Sequence, residues 1–107
     1  MAVLTRPSER GTSIETLTEI VSGSRRFVLL EQLKVEARFA ENHWLLDQDE
    51  LEINVFAPTW EEALEDFGFL FAEHWDYYQR TPDEALGWAV IPRKKRMLEL
   101  VDKVIAA

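Results

Sequence analysis

The 107-residue chain contains no cysteine, which excludes disulfides, thiolate nucleophiles and zinc–thiolate sites and fits a reducing compartment. It has four glycines and no glycine-rich run, so the phosphate-cradling loop of nucleotide-binding proteins is missing, as is the nucleophile-elbow serine motif of acyl-transfer enzymes. No apolar run approaches the ~20 residues that cross a bilayer, and the opening MAVLTRPSER has no apolar core of signal-peptide length. The expectation is a cytoplasmic protein with no membrane contact. Histidine is scarce too. His43 falls in a turn and His74 on a helix, with no nucleophile or ligand motif beside either. The acidic run Asp47-Gln48-Asp49-Glu50 lacks the glycine and the distant glutamate of a calcium loop. No catalytic residue, metal site or cofactor is expected, and a small enzyme remains open only if His74 and nearby carboxylates converge in a pocket.

What the chain does have is apolar and acidic material. Hydrophobic residues make up 47%, with four Trp, six Phe and two Tyr, enough to fold one domain of this length. The net charge of −8 is unevenly spread: residues 31–66 carry eleven acids against Lys34 and Arg38, while residues 93–107 carry five bases against Glu99 and Asp102. An acidic surface repels phosphate, which leaves only the C-terminal bases as a weak nucleic-acid contact.

Residues 1–13 show no periodicity and read as a flexible lead-in to a single domain over 14–107. Residues 14–21 fit a strand or a helix; the Ser22-Gly23-Ser24 turn signal ahead of Phe27-Val28-Leu29-Leu30 favours a strand hairpin. Strict alternation at Lys34–Phe39 marks the clearest strand, and it resumes at Leu51, Ile53, Val55 and Ala57 after a polar turn at Ala40–His43 and the acidic patch. Thr59 with Glu62 forms a capping box, and the stripe at 60, 63, 64, 67, 70, 71, 75 and 78 predicts a long helix ending near Arg80. Thr81-Pro82-Asp83-Glu84 predicts a short second helix stopped at Gly87, and Met97, Leu98, Val101, Val104 and Ile105 predict an amphipathic helix from Arg93 to Ala106. The fold class is therefore α+β, an antiparallel sheet of three to five strands packed on one face by the long helix, through Leu64, Phe67 and Phe71, with a short C-terminal helix.

Two surfaces stand out as candidate contacts. Glu61, Glu62, Glu65 and Asp66 are like-charge neighbours one turn apart, either a solvated acidic face or a surface for a basic protein partner. Phe69 and Tyr77 fall off the apolar stripe of the same helix, as aromatics at an interface do, which makes a homo-oligomer, a dimer, the expectation, with the long helix or the C-terminal helix supplying the contact. The basic patch Arg93, Lys94, Lys95 and Arg96 sits where the helix dipole disfavours cations and needs compensation, from the acidic middle of the chain, from a neighbouring copy's acids at 61–66, or from phosphate.

The order strand, turn, strand ending in Asp49-Glu50-Leu51-Glu52-Ile53, then Ala57-Pro58-Thr59-Trp60-Glu61-Glu62-Ala63-Leu64-Glu65-Asp66, resembles the HicB-like antitoxin group and its small relatives, where a strand hairpin feeds a D/P-T-x-E-E-A-L helix. The similarity covers about a third of the chain and centres on Thr59–Asp66. It implies a sheet packed by one helix, dimerisation, and neutralisation of a small basic ribonuclease toxin. The chain differs from that group in carrying Ala57-Pro58 where a glycine commonly precedes the threonine, and in having too few residues after Pro82 for a separate DNA-binding module, which leaves operator binding open.

Overall fold

The alternating segments become a meander. In the computed structural model, which describes residues 5–107, β1 (Thr12–Ser22), β2 (Arg25–Ala40), β3 (His43–Gln48) and β4 (Ile53–Ala57) lie side by side in chain order, each antiparallel to the next. Tight turns make this order cheap: Gly23 at φ 59° opens the two-residue β1–β2 turn, and Glu41 and Asn42, at φ 53° and 61°, form the primed turn whose twist matches the strands of the β2–β3 hairpin. The ambiguous segment 14–21 is strand, and β1 already includes Thr12 and Ser13. The rest of the lead-in expected over 1–13 is partly outside the described residues, at 1–4.

β2 is the long central strand. One edge pairs with β1; the other pairs with β3 through Glu36–Ala40 and with β5 (Val101–Ala106) through Arg25–Leu29. Between these two partners the buried Gln48 closes the gap: its Nε2 donates to the Lys34 carbonyl at 3.2 Å and its Oε1 accepts from the Leu51 amide at 2.8 Å. Opposite, the register of β1 slips between Leu17 and Glu19, so that Leu17, paired with Leu33, and Ile20, paired with Phe27, both face the core.

α1 (Trp60–Arg80) covers that face. Thr59 Oγ1 accepts from the Glu62 amide at 3.1 Å, as the capping box requires. Trp60, Ala63, Phe67, Phe71 and Tyr78 are buried and Leu64 packs partly against the same core; Trp60 meets Trp44 edge-on at 5.1 Å and Phe71 meets Phe27 at 5.2 Å. Gly68 brings the helix so close to β1 that a Cβ there would stand 2.3 Å from the Val21 carbonyl oxygen. The opposite sheet face carries the exposed Lys34, Glu36, Arg38 and Phe56, the wet side usual for an antiparallel sheet.

The C-terminal third departs from expectation. Thr81 ends α1 rather than capping a second helix, and only one 3-10 turn, Asp83–Ala85, follows it, without a side-chain cap. α2 spans Ile91–Leu100, and the chain then turns into β5 instead of continuing as helix to Ala106. The β-branched Val101, Val104 and Ile105 suit a strand, and the free edge of β2 offers the hydrogen bonds that a solvated helical turn cannot match. Among the described residues no helix is long and apolar enough to cross a membrane.

Candidate protein-docking face

With its apolar stripe facing the sheet, α1 turns a second stripe to solvent. Glu62, Asp66, Phe69, Glu73 and Tyr77 follow one another at spacings of four, three, four and four, which aligns them along one side of a helix. Phe69 is 57% exposed and Tyr77 42%, whereas Phe67 and Phe71 are buried. Glu61 and Glu65 belong to a neighbouring stripe, in line with Gly68 and Ala72, and border the contact with β1. Among the described residues none of Glu61, Glu62, Glu65, Asp66 and Glu73 has a cationic group within 4 Å. The expected acids and aromatics are thus brought onto one helix surface, Glu61 and Glu65 at its flank.

Towards the end of α1 the stripe continues into groups that sequence reasoning left out. Asp76 accepts two hydrogen bonds from Arg25, at 2.7 and 2.9 Å. The bidentate bond holds the Asp76 carboxyl below its ordinary range and raises Arg25, whose guanidinium also lies 5.4 Å from the Phe27 ring centre. Arg80 lies 5.6 Å over the Tyr77 ring. A groove of 460 Å³ is lined by Glu73, His74, Asp76, Tyr77 and Arg80, all from α1 itself, so it is a depression along one helix and does not enclose a reacting molecule. His74 donates from Nδ1 to the Leu70 carbonyl, one turn back, at 2.7 Å. His43 donates from Nδ1 to the Glu41 carbonyl at 2.8 Å and stacks on Phe56 with ring centres 4.1 Å apart. Burial pushes the Tyr78 phenol up. Among the described residues no group of three His, Asp or Glu side chains is arranged to hold a metal ion.

The basic patch has another fate. Arg93 pairs with Glu52 at 2.7 Å, Lys94 with Asp83 at 2.9 Å, and Arg96 reaches both Glu50, at 3.1 Å, and Glu31. The hydrogen bond to Glu31 is the main reason the Arg96 guanidinium is raised. Lys94 also donates to the Thr81 carbonyl at 2.8 Å. Of the compensations the sequence left open, the acidic middle of the chain is the one observed: Glu50 and Glu52 tie the β3–β4 turn to α2. Only Lys95 of the four has no ion pair among the described residues. The cations at 93, 94 and 96 are therefore engaged within the chain.

Neither the protein-family models, nor the curated proteins, nor the solved structures compared with this chain match it. One further feature that the sequence did not flag is Trp88, 87% exposed in the loop before α2. It lies inside the turn closed by the Val90 amide on the Gly87 carbonyl, outside any apolar stripe, and its exposure had no periodic signal to announce it.

Proposed function

We propose that this chain is a non-catalytic, cytoplasmic protein-binding module whose α1 solvent face covers a small basic partner, in the manner of an antitoxin neutralising a ribonuclease-type toxin. The observation that carries the reading is the exposure of Phe69 and Tyr77 within a row of acids that have no counter-ion within 4 Å among the described residues. Aromatic anchors supply most of the energy of such contacts, and surrounding charges steer the partner in and set its orientation. A basic partner would also relieve the repulsion between carboxylates one turn apart. The resemblance of Thr59–Asp66 to the HicB-like helix points to the same element. A stand-alone homo-oligomer is the second reading, favoured by apolar side chains exposed elsewhere on the molecule, Ile14 and Phe56 among them.

The test begins with affinity purification from the cells that make the protein. Each basic protein recovered is re-expressed and titrated against the pure chain by calorimetry. The expected result is a tight complex whose association slows with salt, and a loss of at least about thirtyfold in affinity for the Phe69→Ala/Tyr77→Ala double variant. A complex indifferent to that variant, or no basic protein that binds, overturns the proposal.

A further inference from the structure

We propose that two copies of the chain join edge to edge through the first half of β1, residues 12–16, in an antiparallel pair centred on Ile14. This contact is separate from the α1 face. β1 is the terminal strand of the meander and pairs only with β2 among the described residues. Unpaired strand edges are normally blunted by Lys, Pro, a bulge or a covering element. In β1 those devices are confined to one half: the register break lies at Leu17/Glu19, and α1 crosses close over Val21. Residues 12–17 hold a regular register against β2, from Thr12 opposite Arg38 to Leu17 opposite Leu33, and contain neither Lys nor Pro. The other meander edge, β4, is five residues long and runs into Pro58, and β5 carries Asp102 and Lys103.

The side chains select both the occupant and the register. Ile14 is 58% exposed on the uncovered sheet face, an apolar side chain at a free edge. A two-fold pairing centred on it sets Ile14 against the partner's Ile14, Thr12 against the partner's Thr16, and Ser13 against the partner's Glu15. Apolar meets apolar, threonines meet threonines, and the Ser–Glu pairing already occurs within one strand, where Ser13 Oγ donates to Glu15 at 3.2 Å. Neighbouring registers fail on charge or on geometry. Centring on Glu15 opposes two glutamates, and centring on Leu17 opposes Glu15 to the partner's Glu19. Centring on Thr16 sends Ile14 to the partner's Thr18, inside the register break, and centring on Ser13 leaves Ile14 beside a threonine. The joined sheet has ten strands with both α1 helices on one face, and the acidic stripe of each stays open.

Light scattering coupled to size exclusion, on the full chain at tens of micromolar, reads the mass directly. Twice the 12.5 kDa chain mass is expected. Ile14→Lys should weaken the dimer at least about tenfold by setting two cations opposite each other. An equimolar mixture of Ile14→Lys and Ile14→Glu should recover it, which also shows that both variants fold. Because the chain has no cysteine, Ile14→Cys is a site-specific probe. Directly opposed Cα atoms lie roughly 4.5–5.5 Å apart, within disulfide reach, so mild oxidation should give a covalent dimer. A monomer mass for the unmodified chain, a dimer that persists in Ile14→Lys, or an Ile14→Cys chain that stays uncrosslinked overturns the proposal.

Discussion

At the scale of single residues, three side chains fix the long helix. Thr59 caps α1, so Thr59→Ala should lower stability by about 0.5–2 kcal/mol, read from a pair of denaturant curves. That role was legible, because a capping box is a local pattern. Gly68 was not: nothing in sequence marks the turn at which a helix passes over a strand's carbonyl. A methyl group there has no room, and Gly68→Ala should lower stability by about 1–3 kcal/mol despite alanine's better helix propensity. Asp76 adds a pH-dependent term. Its folded-state carboxyl is held low by Arg25, so the pair's stabilisation is complete above about pH 4, the unfolded value, and fades as pH falls through the lower folded one. Both side chains are more than a third exposed, which limits the term to about 1 kcal/mol or less. Asp76→Asn should lower the melting temperature at pH 7 and have no effect once the carboxyl is protonated in both states; an equal loss at both ends of the titration would mean that the charge is not the cause.

At the scale of elements, the C-terminal third shows which local signals fail. Apolar residues at 97, 98, 101, 104 and 105 fit a helical stripe, yet of these only Met97 and Val101 are buried, Leu100 is buried off that stripe, and the chain leaves the helix at Leu100. The pull is tertiary: β2 has an unpaired edge at Arg25–Leu29 that β5 completes. A chain ending at Leu100 should therefore lose at least about 2 kcal/mol, from one buried valine and several ladder hydrogen bonds. Hydrogen exchange should report faster exchange at those β2 amides whose bonds β5 supplies, with α1 protected as before relative to the lowered global stability. Unchanged protection in β2 would place the β2–β5 pairing outside the stable core. The long helix, by contrast, was legible from cap to end, because five turns of apolar repeat leave no competing period.

At the scale of the molecule, burial and the proposed binding fall to different faces of one helix. Phe69→Ala/Tyr77→Ala should change unfolding free energy by no more than about 0.5 kcal/mol while it affects partner affinity, since both side chains are solvent-facing. A large loss of stability in that variant, seen by thermal melting, would reassign the pair to the fold. The acidic charge is also divided by the structure. Glu31, Glu50 and Glu52 hold α2 in place through Arg93 and Arg96, Asp76 of α1 holds Arg25, and among the described residues Glu61, Glu62, Glu65, Asp66 and Glu73 of α1 have no ion pair.

The sequence by itself determined the α+β class, the meander, the start and end of α1 and the identity of its solvent-facing acids and aromatics. Each of these follows from periodicity or capping, which depend on residues a few positions apart. Tertiary structure decided the rest: that β2 accepts two partners on one edge with Gln48 between them, that residues 101–106 become strand, that the basic patch meets Glu31, Glu50, Glu52 and Asp83, and that Ile14 stands at an open edge. Those outcomes join residues 11 to 81 positions apart, and such pairings depend on which edge, charge or cavity the folded chain leaves unsatisfied.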